Sequence, residues 1–123
     1  MKLLLVIGAG SFIGGVGRYL LSQLIQTKSL TQFPVGTLVV NILGCFLIGL
    51  VFGLFTKGTL SDEWRLFLAT GILGGFTTFS AFSLETINLL QNGQVGQAIS
   101  YILASVLLGL LATFVGLWLV KLT

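Results

Sequence analysis

The stretch GGFTTFSAFSLE, Gly74 to Glu85, lies inside a long apolar run and does not suit one. A double glycine is followed by hydroxyls interleaved with three phenylalanines, and a carboxylate closes the segment. Glycine supports a helix less well than any residue but proline, so a helix entering here has its weakest point at Gly74–Gly75. A break there would free the carbonyls of the turn before it and the N–H groups of the turn after it. What those groups can face depends on the solvent, and the rest of the chain identifies it.

Of 123 residues, 55% are hydrophobic and 7% charged, against roughly 25% charged in an average soluble domain. A small soluble globule buries only about two-thirds of its unfolded surface, too little to hide this much apolar area. The solvent is therefore lipid. Length leaves room for one domain, residues 1–123. A hydrocarbon core about 30 Å thick takes roughly 20 helical residues. Four segments meet that length, at about 3–26, 35–56, 64–91 and 97–120, parted by KSLTQFPVG, TKGTLSDEW and QNGQVGQ. The expected class is an all-α, multi-pass membrane protein with four transmembrane helices, the third broken in mid-membrane.

Two other motif readings fail. LLLVIGAGSFIGG resembles a strand and a dinucleotide loop, but that motif needs βαβ alternation and an acid about 20 positions on; the next acid is Asp62. The apolar run after Met1-Lys2 continues past Arg18, and three more spans follow, so it reads as a first transmembrane helix rather than a signal peptide. Six basic residues scattered along the chain form no stripe for phosphate backbones, so no nucleic acid is expected. Histidine is absent and Cys45 is alone, which excludes a disulfide framework and a Cys/His metal site. Nor is there a nucleotide motif or nucleophile–base pair, and no enzyme is expected. Lys2, Lys57, Arg65 and Lys121 collect on the side of the termini, a weak bias towards cytoplasmic termini.

Glycines recur at helix-packing spacing: Gly10 and Gly14, Gly49 and Gly53, Gly71 and Gly75. Small residues four apart let membrane helices approach closely. Most of these glycines are accounted for by packing within the chain, but four helices are few to enclose a polar pathway, so a homo-oligomer is expected. Ionisable and polar groups inside a membrane are candidates for function. Arg18 lies deep in the first span, where it serves either function or snorkelling to the headgroups. Asn41 offers amide donors and an acceptor within the second span. Tyr101 and Ser105 share a face of the fourth.

In lipid, groups freed by a break at Gly74–Gly75 must face protein, water or an ion. Freed carbonyls suit a cation such as Na⁺. Phe79 and Phe82, three apart, occupy neighbouring parts of one face, and positive ring edges could line a route for a small anion. The other reading is that the rings pack and the hydroxyls bond back to the preceding turn. Glu85 is the only acid well inside a span.

FPVGTLVVNILG followed by TGILGGFTTFSAFSLE resembles the Fluc (CrcB) family of small bacterial fluoride channels, and the resemblance covers the whole chain. It implies an antiparallel, dual-topology dimer in the bacterial inner (plasma) membrane that exports fluoride passively and so limits its cytoplasmic toxicity. It also implies a central Na⁺, structural and not transported, held by the backbone carbonyls of Gly74 and Thr77 from each subunit. Phe79 and Phe82 would turn ring edges to the ion, Asn41 would donate its amide, and Arg18 would draw anions into the vestibule. Ser80, Ser83, Glu85, Tyr101 and Ser105 would complete the pathway, and Gly75 would allow close approach between subunits. Ala81 stands where the family usually has a threonine. The partner is either a second copy or a paralogous subunit. A competing expectation is a proton-coupled small multidrug-type exporter, but its acid belongs in the first span, where this chain has none; a non-transporting assembly subunit is the other.

Overall fold

A computed structural model describes residues 1–29 and 32–123. Leu30 and Thr31, in the first connector, lie outside the described residues. The described chain is helical between short connectors: α1 (Lys2–Lys28), α2 (Val35–Thr56), α3 (Asp62–Arg65), a π-helical stretch (Leu66–Leu73), α4 (Gly74–Phe76), α5 (Phe79–Gln91) and α6 (Val95–Leu122). The segments from α3 to α5 run along one line of chain, Asp62–Gln91, and make the third of four spans long and apolar enough to cross a membrane. The protein is a multi-pass membrane protein.

The connectors stop and start these helices by local chemistry. Gly58 and Gly93 take positive φ, 84° and 76°, the left-handed conformation that spares glycine a Cβ clash. After each, the chain bonds back as in a Schellman cap: Gly93 N–H to the Leu90 carbonyl at 3.1 Å and Gln94 N–H to Leu89 at 2.9 Å, with the same pattern from Gly58 and Thr59 to Phe55 and Leu54. Ser61 caps α3 by accepting from Trp64 N–H at 3.3 Å, and Asp62 and Glu63 place negative charge at that helix's positive end.

Two close helix pairs organise the bundle. α1 lies against the π-helical stretch and α4, and α2 lies against α6. Backbone meets backbone in both. A Cβ on Gly10 would stand 2.7 Å from the Phe67 carbonyl oxygen and 2.9 Å from Gly71 Cα. Gly116 is seated in the same way against Gly49, whose Cα would lie 3.1 Å from an added Cβ. Apolar burial gives helices in lipid little reason to associate, so such dispersion-rich contact between small residues is what holds them. Gly75 belongs to this set as well. Its face meets Ser11 and Gly15 of α1 in the same chain, so the close approach expected of it between subunits is here made within one.

Among the described residues few apolar side chains are buried: Val40, Leu73, Leu89, Ala98, Tyr101 and Val120 form the interior, while Leu3, Phe12, Leu110, Phe114 and Trp118 point outward. A water-soluble domain rarely exposes so continuous an apolar exterior. Lipid or protein must cover it.

Candidate functional site

Gly74 and Gly75 remain helical, with Gly74 at φ −62°, ψ −38°. The chain leaves the helical conformation three residues later, where Thr77 (φ −88°, ψ 155°) and Thr78 (φ −149°, ψ 125°) are extended. The sequence expectation placed the break on the glycine pair, and tertiary contacts move it. Packing on α1 holds Gly75 in the helix. Asn41 of α2 captures Thr78: its Oδ1 accepts from Thr78 N–H at 2.9 Å and its Nδ2 donates to the Thr78 carbonyl at 3.1 Å. Both backbone groups of an extended residue are thereby satisfied, as a neighbouring strand would satisfy them.

This clamp has a consequence for Gly74. In an uninterrupted α-helix the Thr78 N–H would bond the Gly74 carbonyl, four residues back. Here it bonds Asn41, and the Gly74 carbonyl loses its intrahelical donor. Thr77 donates both N–H and Oγ1 to the Leu73 carbonyl, at 3.0 and 3.1 Å. Thr78 then restarts the helix. Its Oγ1 accepts from Ala81 N–H at 3.2 Å, an N-cap for α5, and lies 3.2 Å from Ser80 Oγ.

Aromatic rings follow the restart. Phe79 and Phe82 centroids are 5.6 Å apart, Phe82 and Tyr101 are 5.1 Å apart, and both ring pairs are tilted, at 52° and 48°. Phe33 meets Tyr101 edge-on at 5.6 Å and 81°. Phe79 is 78% exposed in the single chain, whereas Tyr101 is fully buried. One turn beyond Phe82, the Glu85 carboxylate accepts from Tyr101 Oη (to Oε1, 3.0 Å) and from Thr37 Oγ1 (to Oε2, 3.0 Å). Thr37 is itself buried. One turn along α6 from Tyr101, Ser105 Oγ is buried and, among the described residues, has no hydrogen-bond partner.

A cleft of about 390 Å³ gathers Asn41, Gly74, Thr77, Phe79, Phe82 and Ser105. Thr78, Gly44, Cys45 and Ile48 also line it. Glu85 lines a second, more polar cleft of about 280 Å³, together with Gln26, Gln32, Pro34, Asn88 and Asn92. Phe82 and the Tyr101–Glu85 bond connect the two. Four candidates line neither cleft: Tyr101, packed against Phe82, and Arg18, Ser80 and Ser83. Arg18, partly exposed on α1, makes no ion pair or hydrogen bond among the described residues. Among the described residues the Ser80 hydroxyl reaches only Thr78, and Ser83 is exposed. Phe76 also lies elsewhere, with its ring beside Gly17 and Gly44 between α1 and α2.

Two residues have roles here that the sequence reading did not give them: Thr78, expected only as one of the hydroxyls after the break, and Thr37. Thr78 as a helix restart was legible, because a threonine ahead of an apolar helical run is an N-cap signal. Thr37 carried no local signal; it meets Glu85 across 48 positions of sequence.

Residues 5–117 match the family described as CrcB-like protein, Camphor Resistance (CrcB). The chain is 51% identical over 118 residues to a fluoride-specific ion channel FluC of Granulibacter bethesdensis, covering 95% of this chain and 93% of the relative. It is 50% identical over 116 residues to the protein of the same name from Thermus thermophilus, covering 94% and 93%. It is 48% identical over 122 residues to that of Rhizobium meliloti, covering 98% of both.

Proposed function

The chain belongs to the CrcB family, and from that premise we propose that it is a channel passing fluoride passively across the bacterial inner membrane. The observation that carries the reading is the Ser105 hydroxyl, buried beside Phe79 and Phe82 in one cleft and without a hydrogen-bond partner among the described residues. A buried hydroxyl without a partner costs about 1–3 kcal/mol, and a permeating anion would offset that cost by accepting a hydrogen bond from it.

Fluoride is small and strongly hydrated, so several donors must replace its water at once. Asn41 keeps one Nδ2 proton beyond the one given to Thr78, and Ser105 has its own. The positive edges of Phe79 and Phe82 continue the series within the same cleft; Ser80 and Ser83, which line neither cleft, would serve it from outside, and Tyr101, its hydroxyl given to Glu85, would hold Phe82 and the carboxylate in place. Arg18 would draw anions to the entrance. Export then needs no energy source: fluoride entering as the neutral acid ionises in the cytoplasm and leaves down its own gradient, which limits toxicity. Nothing in the arrangement favours the multidrug-type exporter, and the first span has no acid for it.

The assembly in this reading is an antiparallel dimer with a second copy or a paralogue, and Phe79 is exposed enough to meet a partner. The Gly74 carbonyl, released from its helical donor, and the extended Thr77 suit a structural Na⁺, four carbonyls coming from two chains. The ion would supply a fixed positive charge at the centre.

The test is fluoride efflux from liposomes holding the purified protein, followed with a fluoride electrode. Rapid fluoride release with chloride retained is expected. Release no faster than from protein-free liposomes, with folded protein present, would overturn the reading.

A further inference from the structure

α2 begins without a cap of its own. Pro34 stands at its N-cap and has no side chain able to accept a hydrogen bond, although the first turn of any helix carries N–H groups without intrahelical partners. Gln26 on α1, ten residues before Gly36, supplies what is missing. Its Oε1 accepts from Gly36 N–H at 3.0 Å, and its Nε2 donates to the Phe33 carbonyl at 3.2 Å. The two helices are in backbone contact here, since a Cβ on Gly36 would meet the Ser22 carbonyl. One amide thus fixes both the connector carrying Phe33 and the first turn of α2.

What it fixes bears on the pathway. Phe33 packs edge-on against Tyr101. Thr37 follows Gly36 directly and donates to Glu85, which also accepts from Tyr101. Gln26 and Glu85 line the same polar cleft. We propose that Gln26 is a positioning residue for fluoride conduction: a cap supplied to α2 from α1 that sets Thr37 and Phe33, and through them the Glu85–Tyr101 pair at the mouth of the pathway. Gln26 acts through hydrogen bonds to backbone; the ion-facing groups are the ones it orients.

This rests on the fluoride reading, so the experiment has one arm that needs no fluoride flux. The chain has only three acidic side chains, and the infrared carboxyl band of Glu85 can be identified by its loss in Glu85→Gln. Gln26→Met, matched in length but unable to form either bond, is expected to shift that band in the direction given by Thr37→Val, and the double variant to shift it no further. A band unmoved in folded Gln26→Met overturns the proposal. In the flux arm, Gln26→Met and Thr37→Val each lower fluoride efflux about 3- to 10-fold, the range of losing the one bond both act on, Thr37 to Glu85, and the double variant is no slower than the worse single one. Multiplying effects, or wild-type flux in Gln26→Met, overturn the proposal as well. Absence of flux in the wild type overturns the fluoride reading instead and leaves the infrared arm to decide the positioning role.

Discussion

Asn41 commits both ends of its amide to the backbone of Thr78, which makes it a structural clamp as well as a candidate donor. Asn41→Leu removes both bonds and strands an N–H and a carbonyl among apolar neighbours. Unfolding in detergent is expected to become easier by about 2–4 kcal/mol, the combined scale of two lost bonds and their unsatisfied groups. The phenylalanines divide by position. Phe79 and Phe82 line the cleft with Ser105, while Phe76 sits between α1 and α2. Phe79→Ile and Phe82→Ile are therefore expected to cut fluoride efflux from liposomes more than Phe76→Ile, and equal losses at all three would leave the rings a packing role only. The sequence made the chemistry of each of these residues legible. It did not reveal that Asn41 finds its partner 37 positions away, because a polar residue in an apolar helix shows what it needs without showing what supplies it.

The third span is where the elements differ from their sequence expectation. Its glycine pair is helical, its preceding turns are π-wound and its extended residues are threonines. Propensity marked Gly74–Gly75 as weak; packing against α1 made that stretch strong, and the clamp on Thr78 decided where the helix gives way. Thr78→Val removes the cap of α5 and is expected to destabilise the protein by about 1 kcal/mol in the same unfolding measurement. The glycines of α1 offer a sharper contrast. Gly10 faces backbone at 2.7 Å, and Gly8 has nothing within 4 Å of its added Cβ. Gly10→Val is expected to cost about 1–3 kcal/mol or more from overpacking. Gly8→Ala is expected to be neutral, or stabilising by up to about 1 kcal/mol through helix propensity.

For the whole molecule, the outward apolar surface and the exposed Phe79 pose the question of what lies against them. The dual-topology dimer proposed above gives a direct expectation. With Cys45 replaced by serine, a single thiol introduced by Thr123→Cys should be labelled by membrane-impermeant reagents in part from each side of the membrane. Labelling from one side only would instead fit a chain of fixed orientation working with a paralogue. The four apolar helices and the membrane as solvent were determined by the sequence alone, because apolar length and turn chemistry are local properties. The position of the break, the seat of each glycine and the Gln26, Thr37 and Asn41 bonds were decided only by the tertiary structure. Each is a meeting of groups distant along the chain, and the requirement that every backbone group find a partner away from water is met by whichever distant side chain the packing of helices brings within reach.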